Sequence, residues 1–220
     1  EVVYHFNSLG LRMSKNINEL SKDIMYVSGT SFTMGIGIAE DDRYSDIVAK
    51  ELNLDYINYS GPTYSIKLQV ISFFNYVKSY GNPKICIFEY APHSGYTFFD
   101  KDNAFTFYSK HIPSINENYL TAYNSLKETD FFYQEARIYR NMLRQYCNSA
   151  KINLIEMSFN TNDRFIIDHD IEIIDIDSIG LTNISERYAR DVMKQNESIS
   201  AHPGIGVHRY AAKRILEILK

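Results

Sequence analysis

Two stretches of this sequence hold residue types that can do chemistry at their spacing. The first is GTSFTMGIGI at 29–38. Gly29 ends an apolar run, Ser31 sits where a strand would turn into a helix, and Gly35 and Gly37 free the backbone that follows. A serine at such a turn lies on the carboxyl edge of a sheet. Neighbouring backbone N–H groups there can hold an oxyanion, so Ser31 reads as a nucleophile. The plainer alternative is a Ser/Thr-rich turn that caps a helix. The second stretch is SAHPGIGVHRYAAKRI at 200–215. His202 precedes a Pro-Gly turn that launches the last helix, which suits a general base. His208 falls near the first turn of that helix and reads as a packed or capping histidine. No third ligand lies near the pair in sequence, so no metal is expected.

The other ionisable clusters carry less. DRFIIDHDIEIIDID at 163–177 holds Asp168, His169, Asp170, Glu172, Asp175 and Asp177. Flanking a predicted strand, they read as a solvated connection rather than a divalent-ion site. Glu89 falls near the end of an apolar strand, where a buried carboxylate needs a partner such as a tyrosine hydroxyl or an arginine. Cys86 lies in an apolar run and reads as an inert thiol, and two cysteines do not make a disulfide framework.

Elements that would position these residues follow from composition and periodicity. The chain has 220 residues, with 23 basic and 27 acidic side chains and a net charge of −4. That length suits one domain, 1–220. The 45% hydrophobic content excludes a disordered chain. No basic run exists to make nucleic acid the main partner, and no window is apolar enough for a membrane span. With 18 Tyr, 13 Phe and no Trp, both core and cleft must be built from Tyr and Phe.

Strands are predicted at 23–29, 54–59, 83–92, 152–159 and 171–176, and helices at 41–53, 65–81, 130–151 and 206–220. Gly81 stops the second helix and Asp130 is its successor's N-cap. Alternating strand and helix predicts a five-stranded parallel sheet covered on both faces. Ligands then bind beyond the strands' carboxyl ends, which points to residues 29–40, 59–65 and 91–129. Residues 92–129 show little periodicity and read as a long loop over the cleft. Tyr64, Tyr90, His93 and Tyr96 are expected to line that cleft. Part of 97–111 is expected to form a wall, a lid or a contact with a neighbouring chain. Phe98, Phe99, Phe105, Phe107 and Tyr108 cannot all face water without a large apolar patch.

Three segments together resemble the SGNH (GDSL-type) hydrolases, in a branch reading NSxGfR…GxSFTxGxGV…HPxxxGH. They are FNSLGLR (6–12), GTSFTMGIGI with RYSDIVAKEL (29–38 and 43–52), and HPGIGVHRYAAKRI (202–215). The resemblance implies a flavodoxin-like α/β/α sandwich, a serine that attacks an ester or acetyl carbonyl, and a histidine that activates it. Ser31 matches the nucleophile and His202 the base. Gly29 matches the first motif residue, while Thr30 stands where the family has Asp, a supporting residue and not the triad acid. In NYSGPTYS (58–65), Thr63 takes the place of the oxyanion-hole glycine, with Gly61 two residues earlier. In FEYAPHSGY (88–96), His93 or Ser94 takes the place of the oxyanion asparagine. The triad acid usually stands two or three residues before the histidine, where Ser200 and Ile199 stand here. Asp191 is the first choice for that carboxylate and Glu197 the second.

The leading expectation is thus a serine esterase or carbohydrate O-deacetylase without cofactor or metal. Its oxyanion would be held by the N–H groups of Ser31 and Thr63 with His93 or Ser94. Its partner would be a small-molecule or glycan ester. One rival is an inactive SGNH-like binding or structural module, paired with itself or set in a larger assembly such as a virus particle. Another is a glycan O-acyltransferase using the same serine and histidine. If Asp191 orients His202, Asp191→Asn lowers ester turnover by about 10⁴, the effect of losing an orienting carboxylate in serine proteases, with little loss of stability. An unchanged turnover number means a Ser-His dyad or a different partner for His202.

Overall fold

The computed structural model describes residues 2–62, 64–90, 95–100, 103–108, 121, 125–126, 129–159, 166, 169, 171–175, 179–181 and 202–220, the hairpin 95–108 by its backbone alone. Seven strands occur among them: β1 Ile24–Gly29, β2 Asp55–Ser60, β3 Ile85–Glu89, β4 Gly95–Asp100, β5 Asn103–Tyr108, β6 Asn153–Ser158 and β7 Glu172–Ile173. The helices are α1 Ser31–Met34, α2 Tyr44–Glu51, α3 Ile66–Tyr80, α4 Phe131–Ala150 and α5 Ile205–Ile218.

β2, β1, β3, β6 and β7 make one sheet in that order, and every pairing is parallel. Order reverses between β1 and β3, the place where the carboxyl edge opens. Alternation along β1 feeds two cores. Ile24 and Tyr26 face one layer with Phe73 of α3 and Leu143 of α4. Met25 and Val27 face the other with Val48 of α2 and Val207 and Ala211 of α5. Strands buried on both faces read as near-continuous apolar runs, which is why IMYVSG and ICIFE were legible. This is the flavodoxin-like α/β/α sandwich.

The ends of the elements show where local chemistry acted. Ser65 Oγ accepts from Leu68 N–H at 3.2 Å to start α3, and Gly81 closes it at φ +90°. Asp130 stands at the N-cap of α4 without a side-chain cap bond. The position is as expected, and the side-chain bond at this end is made by Thr129, whose Oγ1 accepts from Phe131 N–H at 3.1 Å. β7 is two residues long, not six. Only Glu172 and Ile173 pair with β6, while Ile171 and Ile174 leave the strand to enter the two cores. Segment 92–129 also departs from expectation, because 95–108 is an antiparallel hairpin. Tyr96 pairs with Phe107 and Phe98 with Phe105. Aromatic and β-branched residue types suit such a ribbon, and they alternate only over the short runs Tyr96-Thr97-Phe98 and Phe105-Thr106-Phe107.

His208 locks α5 to α2. Its Nδ1 accepts from the N–H of Tyr44, the first residue of α2, at 3.2 Å. Its ring stacks on Tyr44 at 5.8 Å and 17°. Burial, then the charges of Arg43 and Arg12, lower its pKa to about 3. In the unfolded chain the ring titrates near 6.5. The neutral ring's contribution is therefore complete above about pH 6.5 and is lost as pH falls toward 3. The expected result is a fall in unfolding free energy of up to about 1.4 kcal/mol per pH unit through that window from this group alone. His208→Asn keeps an acceptor for Tyr44 N–H and should lose that component, as urea unfolding at a series of pH values would measure.

Candidate active site

Thr30 is the N-cap of α1, and its hydroxyl accepts from Phe32 N–H at 3.3 Å. Ser31 is the first helical residue and is half-buried. Among the described residues, nothing hydrogen-bonds its N–H or its Oγ. The turn ends at Gly35 in the left-handed region at φ +75°. A Cβ on Gly29 would overlap Thr33 Oγ1 and lie 2.6 Å from Glu89 Oε2, so only glycine lets β1 pass this close.

Two cations fasten the far side of the turn. Arg12 donates to Met34 O at 2.7 Å and to the carbonyls of Gly35 and Ile38. Its guanidinium lies 3.7 Å from the Tyr4 ring centroid, and Tyr4 Oη accepts from Gly37 N–H at 2.6 Å. Arg43 supports Arg12 from behind, donating to Arg12 O and to Tyr56 Oη, both at 2.7 Å. Burial first, then Arg43, lower the Arg12 pKa to about 10, which leaves it a cation at neutral pH. The segment 6–12 therefore acts by pinning the backbone behind Ser31. A lone arginine in a loop gave no sequence signal for that role beyond the family resemblance.

His202 packs against the turn itself. Its ring meets the Phe32 ring edge-on at a centroid distance of 5.5 Å, and Phe32 packs on Phe159 at 5.8 Å. α5 begins three residues later, with Gly204 at its N-cap. The base proposed from sequence thus lies beside the residue that follows Ser31. Ser31 and His202 make no hydrogen bond to each other in this arrangement; such bonds commonly tighten only when substrate is present.

At the end of β2, Gly61 N–H donates to Gly29 O at 3.3 Å, so it is committed to the scaffold. The half-buried Tyr64 ring covers Gly61, where a Cβ would meet it at 2.5 Å. Gln69 Nε2 donates to Tyr64 O at 3.3 Å and to Glu89 O at 3.1 Å, tying the loop after β2 to the end of β3. Sequence reading passed over Gln69 because it falls on the buried face of an ordinary amphipathic helix.

No protein-family model matches the chain, and no curated protein sequence does. Solved structures do match. One is a psychrotrophic esterase, EstA, from Pseudoalteromonas sp., with TM-score 0.50 and 10% identity over 89% of this chain and 95% of that one. Another is a carbohydrate esterase whose active site displays divergent catalytic and non-catalytic binding functions, with TM-score 0.51 and 12% identity. It is covered over 64% of its length by 90% of this chain. A third is a lipolytic protein of the G-D-S-L family from Veillonella parvula DSM 2008, with TM-score 0.46 and 14% identity over 89% of this chain and 97% of that one. The chain has an SGNH-hydrolase-like fold.

On that frame, Ser31 opens the turn that follows the carboxyl end of β1, and His202 packs on the neighbouring Phe32. Thr63, His93, Ser94, Asp191 and Glu197 lie outside the described residues, and Tyr96 is described by its backbone alone in β4. Tyr90 is a correction. It is fully buried, and its hydroxyl donates to Glu156 Oε1 at 3.0 Å. Glu156 also takes Arg140 Nε at 2.7 Å and Nη2 at 2.8 Å. A tyrosine joined to a buried ion pair is core and cannot line a cleft. His169 spends its carbonyl on the same Arg140, at 3.0 Å. Among the described residues no cluster of three metal-ligating side chains occurs.

Arg12→Lys tests the clamp. An ammonium keeps the charge but lacks the planar fork that reaches three carbonyls. Stability should fall by about 1–3 kcal/mol, the cost of leaving buried acceptors unpaired. Hydrogen exchange should speed up within 34–38 and stay unchanged in β6.

Proposed function

We propose that the protein is an SGNH-type serine hydrolase, an esterase or carbohydrate O-deacetylase, with Ser31 as nucleophile and His202 as base. The observation that carries this reading is the His202 ring packed on Phe32, one residue from a serine whose N–H and hydroxyl make no hydrogen bond among the described residues. His202 takes the Oγ proton as Ser31 attacks the ester carbonyl. The oxyanion is held by Ser31 N–H and Thr63 N–H, with His93 or Ser94 beside them. His202 returns the proton to the leaving alcohol, and water then releases the acyl group by the same route in reverse. Asp191, or Glu197 after it, orients His202. The substrate is a small-molecule or glycan ester.

A non-catalytic binding module is the second reading. It is favoured by Thr30, Thr63 and His93 standing where the family carries Asp, Gly and Asn. A fluorophosphonate probe separates the two readings. The folded protein should be labelled on Ser31, and Ser31→Ala should not be. p-Nitrophenyl acetate turnover by Ser31→Ala should fall to the background of the buffer. Folded protein that takes no label supports the binding module.

A further inference from the structure

Glu89 ends β3 directly beneath the Ser31 turn and is 1% exposed. Its Oε2 accepts from Thr30 N–H at 2.6 Å, from Thr30 Oγ1 at 2.8 Å and from Thr33 Oγ1 at 3.1 Å. The directions of this network follow from proton counting. Each threonine hydroxyl has one proton. Thr33 gives its proton to Glu89, so its 2.8 Å contact with Tyr44 Oη is donated by the tyrosine. Thr30 likewise gives its proton to Glu89 and uses a lone pair to accept Phe32 N–H. Thr30 N–H, the hydroxyls of Thr30 and Thr33 and, through the Thr30 hydroxyl, Phe32 N–H therefore all end on a single carboxylate oxygen. Thr30 is held at two points, main chain and side chain, which fixes the peptide plane entering Ser31.

We propose that Glu89 is a positioning residue for the nucleophile: by gathering these donors it fixes the turn while the Ser31 N–H and hydroxyl stay without a hydrogen bond among the described residues. The proposal rests on the reading of Ser31 as nucleophile. Without Glu89, the buried N–H and hydroxyl of Thr30 have no acceptor, and an unpaired buried donor is costly enough to turn the backbone toward another. A nucleophile misplaced by about 1 Å loses on the order of 10² in rate. The sequence offers a reason for the arrangement. Thr30 stands where the resembling family has an acid, and the carboxylate at this spot comes from β3 instead.

The test compares Glu89→Ala, Glu89→Gln and Thr30→Val for kcat and KM with p-nitrophenyl acetate, for the rate of fluorophosphonate labelling, and for unfolding in urea. Glu89→Gln keeps an oxygen that can accept from all three donors, so it should retain kcat within about tenfold. Glu89→Ala should lose about 10² in kcat and in labelling rate at nearly unchanged KM, which a purely structural role would not separate. Should Glu89→Ala fail to fold, Thr30→Val carries the test. It keeps the main-chain bond, loses one donor, and should show a smaller loss of the same kind, above threefold. Folded variants with the wild-type kcat and labelling rate overturn the proposal while leaving Ser31 as nucleophile. Wild-type protein that takes no label overturns the nucleophile reading itself, and this proposal with it.

Discussion

A carboxylate taken out of water must be given donors, and Glu89 obtains its donors from the segment that carries Ser31. Burial pushes its pKa above the usual range, and the Thr30 and Thr33 hydrogen bonds oppose the shift. The arrangement links three elements through one oxygen. β3 supplies the acid, the turn after β1 supplies Thr30 and Thr33, and α2 supplies Tyr44 behind Thr33. Because Gly29 lies close against both partners, β1 and β3 cannot change their spacing without breaking the set.

The two ends of the α1 turn are treated oppositely, as the chemistry of a helix requires. At its start the N–H of the capping Thr30 meets an anion, and at its end free carbonyls meet a cation. Glu89 takes the first role. Arg12 takes the second, at Met34 and Gly35. Arg43 faces the Arg12 carbonyl and the Tyr56 hydroxyl at 2.7 Å and pairs more loosely with the Glu40 carboxylate at 3.5 Å. Two buried guanidiniums side by side repel, and the carbonyl dipoles around them offset that cost. The turn is four residues long, too short to be stable by itself. Its shape is therefore imposed by its neighbours.

Much of the fold was legible because a parallel sheet buried on both faces writes itself as apolar runs between amphipathic helices, and Ser31 was legible because a Gly-x-Ser-x-x-x-Gly turn follows such a run. The rest needed contacts across long sequence distances. Glu89 was expected to find a tyrosine or arginine, yet its partners are threonines 56 and 59 positions away. Tyr90 looked like a cleft residue because it leaves β3 at the carboxyl edge. Its fate was decided by Glu156 and Arg140, which its own neighbourhood in sequence does not reveal. The hairpin 95–108 shows its period of two only over Tyr96-Thr97-Phe98 and Phe105-Thr106-Phe107, runs short enough to read as part of a long loop.

Gln69 completes the mechanical argument. A carbonyl cannot donate, so the Gln69 amide must present Nε2 to both Tyr64 O and Glu89 O. That choice leaves its Oε1 buried with no donor, a state most proteins avoid. The gain is a brace from α3 across two loops. The residue whose side chain holds the Ser31 turn has its carbonyl tied to the loop after β2, while Gly61 N–H ties that loop to Gly29. The turn after β1, the loop after β2 and the end of β3 thus close a ring of hydrogen bonds around Glu89. Groups on separate elements that act on one reacting atom need a mutual placement held to well under about 1 Å. A ring of hydrogen bonds around one buried carboxylate is a physical means of holding three elements to that tolerance.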